Sequence, residues 1–175
     1  MGIKFRLSPE LFREMQKSLT RSIAVEQGCF LLCSESKANG DHIIIANELL
    51  PLESSDFAIQ KYDQLTVSPT AMLRISRIAQ AKNVGLCFVH THPMSSMQVD
   101  FSPADNYGNV YSFTFFNRML PTQSNTALVF SGDMKAVSGR LYHSAHNWER
   151  INSVNIAGHP SLLITMGSNT IREVS

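Results

Sequence analysis

The stretch VGLCFVHTHPMSSMQVDFSPAD, residues 84–105, decides how we expect this chain to fold. It opens with the apolar run 84–89, which is typical of a buried strand and leads directly into His90 and His92. Because alternate residues of a strand point to the same side, the two imidazoles should converge on one point. Pro93 then takes the chain out of the sheet, since proline cannot donate to a strand ladder.

The end of the same stretch has the features of a helix start. Ser102 is a typical N-cap, Pro103 suits the first helical position, and Asp105 falls in the first turn. Two imidazoles and one carboxylate are ligands that zinc accepts, and three protein ligands leave a fourth position open, as in catalytic zinc sites. The alternative is a pair of structural histidines beside an ordinary helix N-terminus. We predict one zinc ion per chain, bound by His90, His92 and Asp105.

This pattern resembles the signature of the JAMM family, also called MPN+ or JAB. The family consists of zinc metalloproteases and includes isopeptidases that act on ubiquitin and ubiquitin-like proteins. It also has a glutamate far upstream, before a glycine-rich apolar strand, and the segment EQGCFLLC at residues 26–33 is similar to the bacterial form. Cys29 and Cys33 stand where glycine is usual, and we expect the strand to tolerate these small side chains. The resemblance covers roughly residues 8–145, and all five functional positions are filled.

The resemblance also assigns roles to two residues that are not metal ligands. It implies that Glu26 takes a proton from the attacking water and passes it to the leaving amine. The residues alone do not distinguish Glu26 from Glu35, Glu48 or Glu53. The resemblance implies that Ser102 stabilises the oxyanion of the tetrahedral intermediate, and this role is compatible with capping its helix.

Helical and strand patterns alternate along the rest of the chain. Helices are predicted at 8–22, 68–83 and 102–117, and strands at 28–33, 42–50, 64–67, 126–130 and 135–143. A polar turn over 34–41 would join the strands 28–33 and 42–50 into a hairpin. The strands 126–130 and 135–143 would form a second, half-exposed hairpin. This order fits an α/β fold with a curved mixed β-sheet sandwiched by helices, and the resemblance implies the same cytidine-deaminase-like JAB/MPN arrangement.

We expect a single domain over residues 1–175, in which the residues after about 150 form a C-terminal tail or an edge hairpin. Strands are possible there at 153–156 and 162–165. Net charge +1 and the lack of a Lys/Arg cluster argue against nucleic acid or anionic lipid as a partner. The apolar runs are too short to span a membrane, and the first residues lack the apolar core of a signal peptide.

The three cysteines predict a reducing compartment, the cytoplasm. Cys29 and Cys33 are four residues apart in a predicted strand, about 13 Å, which exceeds the ~7 Å limit for a disulfide. We therefore predict that Cys29, Cys33 and Cys87 are core residues. The histidines at 42, 143, 146 and 159 and Trp148 give no functional signal.

The resemblance implies a zinc-dependent isopeptidase or peptidase that cleaves after the C-terminus of a ubiquitin-like protein. The resemblance is compatible both with deconjugation and with the processing of a precursor, including that of a sulfur-carrier protein. Activating and conjugating enzymes of the same pathway are expected partners. The alternatives are a non-catalytic MPN-type scaffold subunit and a DNA-repair-associated branch. The loop 94–101 must border the cleft, where Met94, Met97 and Phe101 would either grip an extended peptide or fold inward.

Overall fold

A computed structural model describes residues 2–158 and 163–165. In chain order, the elements are β1 (Ile3–Leu7), α1 (Pro9–Leu19), β2 (Gly28–Ala38), β3 (Asp41–Pro51), β4 (Phe57–Gln60), β5 (Leu65–Val67), α2 (Pro69–Lys82), β6 (Gly85–His92), α3 (Pro103–Met119), β7 (Asn125–Ser131), β8 (Val137–Ser144), β9 (Asn147–Arg150), β10 (Ser153–Ile156) and β11 (Leu163–Thr165). A short 3-10 helix precedes β4. Within this part of the chain, no helix combines the length and the apolar character needed to cross a membrane.

One mixed sheet contains nine of the described strands, in the order β11-β10-β1-β3-β2-β6-β7-β8-β9. The strand β2 pairs antiparallel with both β3 and β6, whereas β6 pairs parallel with β7. At the other side, β1 lies parallel to both β3 and β10. The predicted α/β class with a mixed sheet is confirmed. The strands β4 and β5 form a separate antiparallel pair.

Helices cover both faces of this sheet. Leu11 and Met15 of α1 belong to one buried cluster, with Phe5 of β1. Met72 of α2 and Phe113 of α3 belong to a second buried cluster on the opposite face. The sheet therefore lies between helical layers, as predicted.

Each α-helix of the described chain begins at a Ser-Pro pair. Ser8, Ser68 and Ser102 are the N-caps, and each hydroxyl accepts a hydrogen bond from the backbone N–H three residues further on. Proline at the next position is already restricted to a helical φ and has no N–H to leave unpaired. Such a cap typically stabilises a helix by about 1 kcal/mol. These local signals explain why the helix starts could be predicted.

The predicted polar turn over 34–41 is wrong, because β2 continues to Ala38. The turn itself consists of Asn39 and Gly40, whose φ angles are 52° and 80°. Positive φ at both positions is the geometry of a tight two-residue hairpin turn, which Asn-Gly favours. The polar residues before the turn extend the strand into solvent, so their composition suggested a loop.

The prediction of a half-exposed final hairpin is also wrong. All seven residues of β7 are buried. Both faces of this strand are covered, so polar residues such as Thr126 lie in the interior instead of facing water. The sequence analysis also missed β1, β4 and β9, although Ile3, Phe5 and Leu7 alternate as buried residues in β1. At the far edge, β10 and β11 pair antiparallel.

The cysteines are core residues, as predicted. Cys29, Cys33 and Cys87 are free, buried thiols in the cluster that contains α1. Burial raises the pKa of Cys87 to about 12 and raises the pKa values of Cys29 and Cys33 as well. At neutral pH these groups therefore stay protonated and unreactive.

Candidate metal centre

The two histidines of the predicted site lie at the end of β6, which runs through both of them. His90 is opposite Gly28 of β2 and opposite Val129 of β7, so it stands in the middle of the sheet. The ring centroids of His90 and His92 are 5.2 Å apart. The side chain of His90 is only 1% exposed. The strand period thus places both imidazoles on one face, as predicted.

Asp105 faces both histidines from the first turn of α3. Its Oδ1 lies 3.0 Å from Nε2 of His90, and its Oδ2 lies 3.0 Å from Nε2 of His92. The backbone N–H of Ser102 donates to Oδ2 at 2.6 Å, while the N–H of Asp105 donates to the Ser102 hydroxyl at 3.1 Å. This reciprocal cap fixes the carboxylate relative to the helix axis. Burial raises the pKa of Asp105, but His90, His92 and the Ser102 N–H outweigh burial and hold this pKa well below its ordinary value.

Glu26 approaches the same point from the segment that precedes β2. Its Oε1 lies 3.6 Å from Nε2 of His92, and the residue is 2% exposed. The N–H of Glu26 donates to the carbonyl of Lys61 at 2.8 Å, and its carbonyl accepts from the side chain of Gln60 at 3.1 Å. Burial and the nearby carboxylates of Asp105 and Asp63 raise the pKa of Glu26 to about 8. A carboxyl group with such a pKa can exchange a proton near neutral pH.

The donor atoms of Glu26, His90, His92 and Asp105 lie within 4.8 Å of one another. Both ring nitrogens of His90 and Oε2 of Glu26 are buried without a hydrogen-bond partner. Buried polar atoms without partners are costly and uncommon in folded proteins. A cation between the imidazoles and the carboxylates would satisfy Nε2 of His90, the ring nitrogen that lies beside Asp105. The cluster could therefore bind a metal ion.

Ser102 lies at the edge of this cluster. It is half-buried, and its hydroxyl accepts from the N–H of Asp105 while its own N–H is bound to the Asp105 carboxylate. The helix-capping role of Ser102 is thus evident in the structure. A hydroxyl that accepts one hydrogen bond still has a proton to donate, so a second role towards a substrate is chemically available.

The loop after His92 is held close to the sheet. The N–H of Ser95 donates to the carbonyl of His92 at 3.0 Å, and the N–H of Gly132 donates to the carbonyl of Ser95 at 2.9 Å. A Cβ atom at Gly132 would lie 2.3 Å from the carbonyl oxygen of Pro93, so only glycine permits this approach.

The three apolar residues of the loop 94–101 differ in burial, and only Phe101 follows the prediction that they fold inward. Met94 and Met97 are 83% and 86% exposed, whereas Phe101 is 7% exposed. The methionines therefore face solvent in the loop that follows His92, and the phenylalanine folds inward.

The other histidines within the described part of the chain lie outside the cluster. Nε2 of His143 is 2.5 Å from Glu149, and Nε2 of His42 is 2.6 Å from Glu35. His146 also lies apart from it. His159 falls outside the described residues.

Sequence reasoning did not identify a second group of residues next to the site. The Arg140 guanidinium lies over the rings of Phe101 and Trp148 and donates to Asn106, the residue after Asp105. No local motif marks these residues, because they come from separate parts of the chain.

Comparisons with known proteins extend only to the fold. No protein-family model matches this chain, and no curated protein sequence matches it. The fold is similar to the solution structure of a protein from Desulfitobacterium hafniense, with a TM-score of 0.57 and 14% identity over 89% of this chain and 94% of that chain. Similarity at this level of identity concerns the fold alone.

Proposed function

We propose that this protein is a zinc-dependent peptidase of the JAMM type that cleaves after the C-terminus of a ubiquitin-like protein. One observation carries the proposal: Glu26, His90, His92 and Asp105 converge within 4.8 Å, and some of their buried polar atoms have no partner. A structural pair of histidines would not require a second buried carboxylate at the same point. The cost of burying these groups favours a site built to hold a cation.

His90, His92 and Asp105 would hold the metal ion in this proposal. Imidazole nitrogens with one carboxylate suit zinc and leave a position free, as in catalytic zinc sites. When bound, zinc would supply Lewis acidity to the scissile carbonyl and to an attacking water. The reciprocal cap between Ser102 and Asp105 would keep the carboxylate in place.

Glu26 would act as the acid–base group. In the metal-bound protein the nearby cation would favour the ionised form of the Glu26 carboxyl group. The carboxylate would then accept the proton of the attacking water and deliver it to the leaving amine. The backbone N–H of Glu26 donates to the carbonyl of Lys61 and its carbonyl accepts from the side chain of Gln60, which holds Glu26 next to His92. The Ser102 hydroxyl would donate to the developing oxyanion, a contact that is worth about 3 kcal/mol for one donor.

The exposed apolar side chains beside the cluster support a polypeptide substrate. Met94 and Met97 follow the ligand His92 in the chain and are almost fully exposed. Methionine adapts to varied partner surfaces because its side chain is flexible and polarisable. Processing of a precursor and release from a conjugated lysine use the same chemistry at this site. The buried free thiols fit a reducing compartment such as the cytoplasm.

The test compares wild type with Glu26→Gln. The substrate is a ubiquitin-like protein joined through its C-terminus to a lysine side chain, and its release is measured with zinc-loaded protein. Glu26→Gln should bind zinc and substrate yet cleave at least ~100-fold more slowly, the lower end of what a positioned acid–base group contributes. A chelator should abolish wild-type cleavage.

The matched control is Glu53→Gln, because Glu53 is an exposed carboxylate that pairs with Arg21. This variant should cleave like wild type. Equal rates in wild type and Glu26→Gln would refute the mechanism. A substrate that binds but is cleaved by neither protein would indicate the scaffold alternative.

A further inference from the structure

One face of β8 contacts the chain on both sides of Asp105. Alternate side chains of a strand share a face, and three consecutive members of this face each bond to the segment 100–109. These are Ser138 with Asp100 at 3.0 Å, Arg140 with Asn106 at 2.6 Å, and Tyr142 with Asn109 at 2.9 Å. A single strand therefore contributes three hydrogen bonds that restrain the start of α3 relative to the sheet.

Arg140 is the central member of this set. Its guanidinium lies over two aromatic rings, 4.2 Å from the centroid of Phe101 and 4.1 Å from the centroid of Trp148. Contacts with two rings restrain the position of the cation. The Phe101 ring in turn lies 6.1 Å from the ring of His90. Arg140 thus links β9, the loop after β6 and the first turn of α3.

The contact with Asn106 bears directly on the metal ligand. Asn106 follows Asp105, and its N–H donates to the carbonyl of Ser102 at 3.0 Å. A shift of Asn106 would move the same helical turn that presents the Asp105 carboxylate to His90. Removing a group that orients a metal ligand typically lowers metal affinity by 10–100-fold.

We propose that Arg140 is a positioning residue of the metal centre, which holds the capped start of α3 so that Asp105 faces His90 and His92. The inference rests on the metal site of the proposed function. It concerns Arg140 through its contacts with Phe101, Trp148 and Asn106, and it requires no contact between Arg140 and the substrate.

The first measurement is zinc affinity, determined by competition with a chromophoric chelator. Arg140→Ala should weaken zinc binding about 10–100-fold, the range expected for a group that orients a ligand. Asn106→Ala should also weaken zinc binding. Asn106→Asp keeps an acceptor for Arg140, so its zinc affinity should stay close to that of wild type. Arg118→Ala, which removes an exposed arginine from the last turn of α3, should also bind zinc like wild type.

The second measurement is hydrogen exchange in the metal-free protein, which does not depend on zinc binding. The amides of Ser102, Asp105 and Asn106 are hydrogen-bonded within the cap, so they should exchange faster in Arg140→Ala than in wild type. The amides of β7 serve as an internal reference and should be unchanged.

Unchanged zinc affinity together with unchanged exchange in Arg140→Ala would overturn the inference. If wild type bound no zinc, the proposed metal site would be refuted, and the exchange rates alone would decide the positioning role. If Arg140→Ala did not fold, the two Asn106 variants would test the positioning role. Equal zinc affinity and equal amide exchange in the cap of Asn106→Ala and Asn106→Asp would overturn the inference.

Discussion

Nε2 of His90 lies 3.0 Å from Oδ1 of Asp105, yet this nitrogen has no hydrogen-bond partner. The two groups are close and buried. A cation that both groups ligated would give this nitrogen a partner. The first prediction follows from this geometry.

Purified protein should contain about one zinc ion per chain, and His90→Ala, His92→Ala and Asp105→Ala should each lower this content, because each removes one of three ligands. Metal analysis after gel filtration measures the zinc content of each protein. His143→Ala is the control, since His143 is an exposed histidine that pairs with a carboxylate outside the cluster. Full zinc content in all three ligand variants would contradict the assignment.

Ser102→Ala should retain zinc but lower kcat more than it raises KM, as expected for a contact made mainly in the transition state. It should also lose about 1 kcal/mol of stability with the N-cap. Ser68→Ala is a matched control, because Ser68 caps α2 at an identical Ser-Pro start. This control should lose similar stability at unchanged kcat. Equal kcat values in the two variants would leave Ser102 with a capping role alone.

The raised pKa of Glu26 predicts how stability varies with pH in the metal-free protein. The folded state keeps the Glu26 proton up to about pH 8, whereas the unfolded state releases it near 4.5. Between these values the folded state binds more protons, so the free energy of unfolding should fall as pH rises. The slope from this one group is at most about 1.4 kcal/mol per pH unit.

Urea unfolding of metal-free wild type and Glu26→Gln at pH 5 to 8 measures this effect. Glutamine does not titrate, so its variant should lack the contribution of Glu26 and become relatively more stable towards pH 8. Parallel stability profiles would show that the carboxyl group of Glu26 titrates in the folded protein as it does in the unfolded chain.

Replacing both exposed methionines, Met94→Ser with Met97→Ser, should raise KM for a protein substrate and leave the zinc content unchanged. The expected reason is the loss of apolar contact area beside the site. Leu73→Ser removes an exposed apolar residue from α2 and is the control. Steady-state kinetics measure the effect. A KM that is unchanged in the double variant would show that the loop does not contact the substrate.

Much of the site could be predicted from local sequence because its signals are local. The strand period places His90 and His92 on one face, and the Ser-Pro start puts Asp105 in a first turn. Both rules depend on neighbours within a few residues. The buried cysteines follow from the same apolar strand patterns. The residues alone did not select Glu26, which was chosen through the resemblance.

Other features depend on contacts between distant parts of the chain. The polar end of β2 forms a strand because β3 returns beside it, and β7 is fully buried because both faces of the sheet are covered. Neither fact is visible in the periodicity of the segment itself, since burial depends on what the rest of the chain places against it.

The sequence by itself therefore predicted that His90, His92 and Asp105 come together, where the helices start, and the α/β class. The tertiary structure alone decided that Glu26 is buried 3.6 Å from His92, and that Arg140 lies over the rings of Phe101 and Trp148 and bonds to Asn106. The physical reason is the range of the interactions. Periodicity and capping act over one or two turns, whereas burial, pKa shifts and cation–ring contacts arise only when distant segments pack together.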